Sequence, residues 1–338
     1  MTYGVTGIGY ALGEPCSVAE TVAAYTDDHK KVEDWGYRTY YRAPDDVGLT
    51  DLAAAAGEQA LKRADIPADE VDLLILAMAD IPEYLYWDPA VATQDKVGAR
   101  HAEAQLINQA CSSGVLGFDA AAGKFATHPD YRVALLITVN RVCEAYWNRM
   151  DSSTAITSDG AAAAVLVRGA DSCRWLATEV ISDGRYANVA YLPGGGAARP
   201  VTPDHPDPGR VGNPVNLMNE FLGHDLRAKV RFLRETRDNS HRVLEKACAR
   251  AKVPVDDVRY VLHMNGTAQG LKEFSRDFHI PMDHTNAEVA LQHGHLGCAD
   301  QLFSLGKMLD DNRIPPGELV ALTSTGNGMH WACTLLRV

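Results

Sequence analysis

An internal repeat is the feature that most narrows what this chain can fold into. Ala60-Leu-Lys-Arg-Ala-Asp-Ile-Pro-Ala-Asp-Glu-Val-Asp-Leu-Leu-Ile-Leu76 is echoed by Ala247-Cys-Ala-Arg-Ala-Lys-Val-Pro-Val-Asp-Asp-Val-Arg-Tyr-Val-Leu-His263. In register, Arg63 meets Arg250, Ala64 meets Ala251, Pro67 meets Pro254, Asp69 meets Asp256 and Val71 meets Val258. Each copy reads as a helix end, a proline turn with acidic residues, and an apolar strand. The next unit repeats too. Gly123-Lys124 closes a helical run before the strand Val133 to Val139, and Gly306-Lys307 lies in a helical run before the strand Leu319 to Thr323. Strands alternating with helices predict an α/β fold with sheets covered on both faces. Duplication predicts two similar halves, residues 1–169 and 170–338, related by a pseudo-twofold axis with their central helices meeting in the middle. A loop-rich insertion is expected around 185–228, where Gly194-Gly-Gly-Ala-Ala-Arg-Pro and Pro203-Asp-His-Pro-Asp-Pro-Gly are turn signals.

Within the first half, Asn108-Gln-Ala-Cys-Ser-Ser-Gly is a small-residue turn between a short buried strand, Glu103 to Ile107, and a helical run marked by Val115, Phe118, Ala122 and Phe125. Cys111 therefore falls where a strand hands over to a helix. Free N–H groups and the positive end of the helix dipole favour thiolate over thiol there. The same N–H groups can hold an oxyanion formed when a thiolate attacks a thioester. The plain alternative is a small cysteine packed at a helix start. The repeat weighs against it: Gly294-His295 occupies the matching helix start of the second half, so Cys111 and His295 are expected to converge across the pseudo-dyad.

Composition excludes several classes of function. A net charge of −12 argues against binding a phosphate backbone or an anionic membrane surface. No apolar run approaches the roughly 20 residues that span a bilayer, and the N-terminus lacks the basic and apolar regions of a signal peptide. The seven cysteines are scattered, with no C-x-x-C pair. Reduced thiols and a cytoplasmic setting are expected, with neither a disulfide frame nor a metal site.

These pieces, in this order, resemble the ketoacyl-ACP synthase III (KAS III) enzymes of the thiolase superfamily, nearly end to end. Tyr3-Gly-Val-Thr-Gly-Ile-Gly-Tyr resembles the family's first strand, Gln109-Ala-Cys111-Ser-Ser-Gly its nucleophile turn, and Ser158-Asp-Gly-Ala-Ala-Ala-Ala-Val-Leu166 its buried Gly/Ala-rich strand. His263-Met-Asn-Gly resembles the His-Gln-Ala-Asn motif, and Gly326-Asn-Gly-Met-His-Trp331 the C-terminal Gly-rich turn. The resemblance implies a thiolase-like fold of duplicated αβαβα layers and a homodimer. It implies a coenzyme A contact at Trp35 and Arg38. It places the run Tyr84-Leu-Tyr86-Trp87 near the acyl pocket, where dimeric members reach the partner subunit. No cofactor is tightly bound; the donor is an acyl-CoA or an acyl carrier protein thioester.

The departures are informative. Condensing members pair the cysteine with a His and an Asn that stabilise an enolate while malonyl decarboxylates. Here the His is kept as His263, but the Asn position reads His295, with Asp300 five residues on, one helical turn further into the same helix. An imidazole supported by a carboxylate accepts a proton, which an amide does not. Cys111, His295 and Asp300 therefore resemble the set of KAS III-like acyltransferases of antibiotic tailoring, such as the malonyl- and salicylyl-transferring enzymes of cervimycin and pactamycin biosynthesis. The expected reaction passes an acyl group from the donor through Cys111 to a hydroxyl or amine. The backbone N–H groups of Cys111 and Asn327 hold the oxyanion, and His263 bonds the thioester or protonates the departing thiol. Four readings stand side by side: this transfer, condensation with a malonyl thioester, thioester hydrolysis, and a non-catalytic partner subunit, which the intact Cys111 turn disfavours. His293, His330 and Asp159 are expected to serve structure.

Overall fold

The computed structural model describes residues 2–338. Nine strands form one sheet: β1 (Tyr3–Leu12), β2 (Leu73–Met78), β3 (Glu103–Asn108), β4 (Val133–Asn140), β5 (Gly160–Arg168), β6 (Arg174–Ser182), β7 (Val258–Leu262), β8 (Leu319–Gly326) and β9 (His330–Arg337), in the order β3-β2-β4-β5-β1-β6-β9-β8-β7. From the centre outward, β1-β5-β4-β2-β3 is matched by β6-β9-β8-β7. In both arms the inner pairings are antiparallel and the outer ones parallel. The fifth strand of the second arm survives as a single parallel bridge, Val261 to Thr285. The arms join through one antiparallel pair, Gly4 with Arg174. This is a duplicated, thiolase-like α/β architecture.

The repeated sequence becomes repeated conformation. Helix α1 (Leu49–Ala64) ends at Asp65 with φ 54°, and Pro67 has φ −64° and ψ 148°. Later in chain order come α2 (Pro89–Val97), α3 (Ser113–Thr127), α4 (Pro214–Phe221) and α5 (Leu226–Ala251). Helix α5, the counterpart of α1, ends at Lys252 with φ 57°, and Pro254 has φ −63° and ψ 146°. The left-handed residue and the rigid proline turn the chain out of the helix and aim it into β2 or β7.

Helix α1 covers β1, β4 and β5 from outside, and α5 covers β6, β8 and β9. Between the two arms lie α3 and its counterpart α8 (Asp300–Asp310), the last of three helices that follow α5, after α6 (Ala268–Asp277) and α7 (Ala287–His293). The largest apolar cluster fills this middle layer: Phe118, Phe125, Leu302, Phe303, Leu305 and Met308 are all buried. Strand β4, Val-Ala-Leu-Leu-Ile-Thr-Val-Asn, is buried throughout, as a strand with helices on both faces requires.

Three sequence expectations need correction. Strand β3 is the sheet edge, and its residues are mostly half-buried, with Leu106 exposed. The stretch 185–228 is loop-rich as expected and needs only one addition, helix α4, which starts at Pro214 behind an Asn213 cap that accepts the N–H groups of Val215 and Asn216. His295 does not begin the central helix. It lies in extended chain bridged to Thr157, and α8 starts at Asp300, which is therefore the first residue of that helix rather than one turn inside it. Among the described residues no helix is long and apolar enough to cross a membrane, and all seven cysteines are unpaired.

Candidate active site

The turn that presents Cys111 is fixed by its small neighbours. Ala110 takes φ 50°, a left-handed conformation uncommon outside glycine, which lifts the next residue out of the strand. Ser113 ties the turn together: the Gln109 N–H donates to its Oγ at 2.6 Å, while that hydroxyl reaches the carbonyls of Met78 and Ala110, each at 2.9 Å. From the other arm, the Ser324 hydroxyl donates to the Cys111 carbonyl at 2.8 Å. Gly114, in the first turn of α3, explains how the two arms close up here. A Cβ at that position would lie 2.2 Å from the Cys298 carbonyl oxygen.

His295 arrives from the second arm as a rung of extended chain. Its N–H donates to Ile156 O at 2.7 Å, and its carbonyl accepts the Ser158 N–H at 2.8 Å. Gly294 before it has φ 71° and packs so tightly on Ser158 that a Cβ would sit 2.4 Å from the hydroxyl. The imidazole, 6% exposed, spans two partners: Nε2 lies 3.4 Å from Cys111 Sγ and Nδ1 lies 2.5 Å from Asp300 Oδ2. Asp300 is fully buried and accepts two backbone N–H groups as well, Asn265 on Oδ2 and Leu296 on Oδ1, each at 2.6 Å. Burial alone pushes the His295 pKa down. The Asp300 carboxylate and the Cys111 sulfur push it up and prevail, leaving it well above the ordinary value. The arrangement therefore favours an imidazolium at His295, held between the Asp300 carboxyl group and the Cys111 sulfur.

Cys111 and His295 open onto a cavity of about 170 Å³ whose wall also includes Asp80, Asn140, Trp147 and Asn327. Neither the Cys111 N–H nor the Asn327 N–H donates to another described residue.

Two family profiles match this chain. One, described as 3-oxoacyl-[acyl-carrier-protein (ACP)] synthase III, matches residues 107–184, and its C-terminal companion matches residues 248–338, together half of the sequence. The chain belongs to the KAS III family. A beta-ketoacyl-[acyl-carrier-protein] synthase III of Syntrophomonas wolfei is 26% identical over 337 residues, 98% of this chain and 96% of the relative. Among solved structures, the acyltransferase ChlB3 superposes with a TM-score of 0.87 at 22% identity, covering 100% of this chain and 98% of the other. The 3-oxoacyl-[acyl-carrier-protein] synthase III of Aquifex aeolicus gives 0.80 at 21% identity, with 99% and 100% covered. OleA of Xanthomonas campestris, in a structure with lauric acid and lauroyl-CoA, gives 0.79 at 17% identity, with 100% and 99% covered.

Other expected residues of this KAS III chain lie at different distances from the sulfur. His263 directly follows β7 and is near enough to His295 to feel its charge. Its Nδ1 meets Thr323 Oγ1 at 2.9 Å, and its ring stacks on Phe274 at 4.3 Å. Burial, with the neighbouring His295 charge, pushes its pKa down to about 4, so it is neutral near pH 7. Trp35 and Arg38 lie outside the cavity. Lys31 Nζ sits 5.2 Å from the centre of the Trp35 ring, and Arg38 is exposed. Tyr86 and Trp87 are also outside it; Tyr86 is fully exposed, and the wall holds Trp147 in their place. His293 stacks on Tyr41 and bonds Val289 O, and His330 bonds Ser182, as structural residues do.

Several site residues escaped the sequence. Asn265 and Asn286 form the bracket that holds the acid: Asn286 Nδ2 donates to Asn265 Oδ1 at 2.8 Å and to His263 O at 2.7 Å, while Asn265 Nδ2 donates to Gly294 O at 2.6 Å. Asp159 lies behind the cavity residue Val142. It pairs with the fully buried Arg149 at 2.8 Å and accepts the N–H groups of Ala43 and Val142, each at 2.8 Å. Asn265 lies within a recognisable motif; Asn286, Asp80 and Trp147 stand in none.

Proposed function

We propose that this chain is an acyltransferase that moves an acyl group from a CoA or acyl carrier protein thioester, through Cys111, to a hydroxyl or amine. One observation carries the reading: Cys111 Sγ, His295 and Asp300 form a continuous relay of 3.4 Å and 2.5 Å contacts. In the first half-reaction the Cys111 thiolate attacks the thioester carbonyl, and the oxyanion rests on the N–H groups of Cys111 and Asn327. The carbonyl–sulfur bond to the carrier breaks, and the carrier sulfur leaves with the His295 proton. His295 makes this transfer in place of His263, because it touches the reacting sulfur and carries the proton, whereas His263 is neutral. The neutral His295 then takes the proton of the acceptor as its oxygen or nitrogen attacks the acyl-enzyme. Thiolate and imidazolium are restored.

The fold likeness to the acyltransferase ChlB3 is compatible with acyl transfer, and the sequence resemblance to tailoring acyltransferases supports a role in polyketide- or aminoglycoside-type antibiotic biosynthesis. Exposed Arg227, Arg231, Arg234 and Arg237 along α5 give an acidic chain one cationic surface that suits an anionic carrier or coenzyme. Exposed Tyr84, Leu85, Tyr86 and Val91, together with Leu106 on the open edge strand β3, support a homodimer. Unpaired cysteines support a cytoplasmic setting.

The test is product analysis with matched thioesters. Ester or amide formed only when an alcohol or amine is supplied supports transfer. Carbon dioxide and a β-keto product from a malonyl thioester support condensation, and free acid at the same rate with and without an acceptor supports hydrolysis.

A further inference from the structure

Asn265 stands behind the His295–Asp300 pair, fully buried and off the cavity wall, and all four of its polar groups are engaged. Its N–H donates to Asp300 Oδ2 at 2.6 Å, the same oxygen that His295 Nδ1 meets at 2.5 Å. Its Nδ2 donates to the Gly294 carbonyl at 2.6 Å, so it also holds the peptide that leads into His295. Its Oδ1 accepts from Asn286 Nδ2 at 2.8 Å, and its carbonyl accepts the Tyr37 hydroxyl at 3.0 Å. Main-chain groups fix which way both amides point. The His263 N–H donates to Asn286 Oδ1 at 2.9 Å, which turns Asn286 Nδ2 toward Asn265 Oδ1 and so turns Asn265 Nδ2 toward the Gly294 carbonyl. Neither amide can flip without setting like groups against each other. Tyr37 is buried; burial and the Asp300 charge push its phenol well above the ordinary range, so it remains a donor.

The main chain of His295 is bonded to the first arm, through Ile156 and Ser158, whereas Asp300 begins the central helix of the second. Base and acid therefore take their places from different arms, and Asn265 ties one to the other. We propose that Asn265, held by Asn286 and Tyr37, is a positioning residue for acyl transfer: it sets the His295–Asp300 contact and, through it, proton transfer at Cys111. A charge-assisted bond of this kind depends steeply on geometry, and a misplacement of about 1 Å can cost roughly 10²-fold in rate. The titratable groups that face His295 are Asp300, Cys111 and His263, and of these side chains Asn265 bonds that of Asp300. This positioning role rests on the reading of Cys111 as the acylated nucleophile and adds the residue that aligns the acid with the base.

Two measurements test it, one of them without substrate. Proton NMR of the free enzyme reads the Nδ1 proton between His295 and Asp300 as a low-field signal, assigned by its loss in Asp300→Asn. Asn265→Ala is expected to move that signal upfield and to make it titrate away at a lower alkaline pH than in the parent, because His295 loses part of the carboxylate's support. Tyr37→Phe removes one hydroxyl, keeps the ring, and is expected to act the same way by less. Quenched intact-mass spectrometry then follows acylation of Cys111 by acetyl-, butyryl- or benzoyl-CoA, whichever labels the parent fastest. Asn265→Ala is expected to slow it about 10- to 10²-fold, and Tyr37→Phe roughly threefold. In the Asp300→Asn background, Asn265→Ala is expected to cost less than about threefold more, since the contact it sets is already gone. An unmoved signal with parent rates in both variants overturns the assignment. So do losses that multiply in the double variant, which mark Asn265 as a residue of the fold alone. No label on the parent overturns the acyl-transfer reading instead, and the NMR signal then decides the positioning by itself.

Discussion

Replacing Asp300 by Asn removes one charge from the site with almost no change of shape. Three N–H groups converge on the native carboxylate: His295 Nδ1 at 2.5 Å, and the backbone N–H groups of Asn265 and Leu296, each at 2.6 Å. An amide has one accepting oxygen and one NH₂. With the oxygen toward His295 and Asn265, the NH₂ faces the Leu296 N–H; with the amide turned, it faces the Asn265 N–H and forces His295 into the wrong tautomer. Either way one buried donor loses its acceptor, which costs on the order of 1–3 kcal/mol of stability. The larger effect falls on catalysis. Asp300 offsets the burial that would otherwise keep His295 neutral, and the imidazolium it sustains is the proton source for the departing sulfur. Loss of about 3–5 kcal/mol of stabilisation, at 1.36 kcal/mol per tenfold, slows acyl transfer roughly 10²- to 10⁴-fold. The assay is rapid-quench measurement of Cys111 acylation, alongside turnover, from pH 5 to 10, with thermal unfolding as a control on folding. The variant's activity is expected to fall off at a lower alkaline pH than the parent's, because His295 loses the carboxylate that raises its pKa and so loses its proton sooner. Turnover within threefold of the parent and an unshifted pH profile would refute the relay.

Other consequences concern how the site is held. Gly114→Ala places a methyl against the Cys298 carbonyl and Thr138 Cγ2, and so pushes the Cys111 turn away from the second arm. It should cost about 1–3 kcal/mol and lower kcat roughly 10²-fold; an unchanged kcat would mean that the close approach does not set the Cys–His distance. Arg149→Leu removes the closer of two cations on the buried Asp159, leaving Arg141 at 3.5 Å, and should cost at most about 3–5 kcal/mol in urea unfolding, partly recovered in the double variant with Asp159→Leu. Non-recovery would indicate that Arg149 acts through packing alone. His263 has a folded pKa of about 4 against an unfolded value near 6.5, so the unfolded chain binds its proton first. Stability is then fully present above pH 6.5 and is lost progressively as pH falls to 4, by about 3 kcal/mol. His263→Gln should flatten the profile in that window, and equal slopes would exclude His263 as its source.

The fold was legible because its signal was local and occurred twice. The helix–proline–strand unit needs only a left-handed residue, a rigid proline and an apolar run, and both copies carry these within a few positions. Cys111 was legible from the small residues that surround any exposed nucleophile turn. The convergence of His295 on it followed from symmetry, but its means did not. The sequence places a helix start at Gly294, whereas the chain runs as a bridge at His295, because Ile156 and Ser158 supply its hydrogen bonds, and turns helical only after Leu296. That pairing joins residues far apart in sequence, and no periodicity records it. The same holds for Asn286 and Trp147, which act through partners brought near only by folding. Strand β3 read as buried from Ala104, Leu106 and Ile107, while its exposure follows from its place at the sheet edge.

The relay assigns His295 to both half-reactions, and its removal separates them. Mass spectrometry of His295→Ala after prolonged incubation with an accepted acyl thioester, followed by a chase with the alcohol or amine acceptor, reads the central step directly. The account predicts one acyl group, located on Cys111, that forms slowly and persists through the chase, whereas the parent enzyme discharges it to the acceptor. An adduct on another residue, or a variant acyl-enzyme that discharges to the acceptor as fast as the parent's, would contradict it.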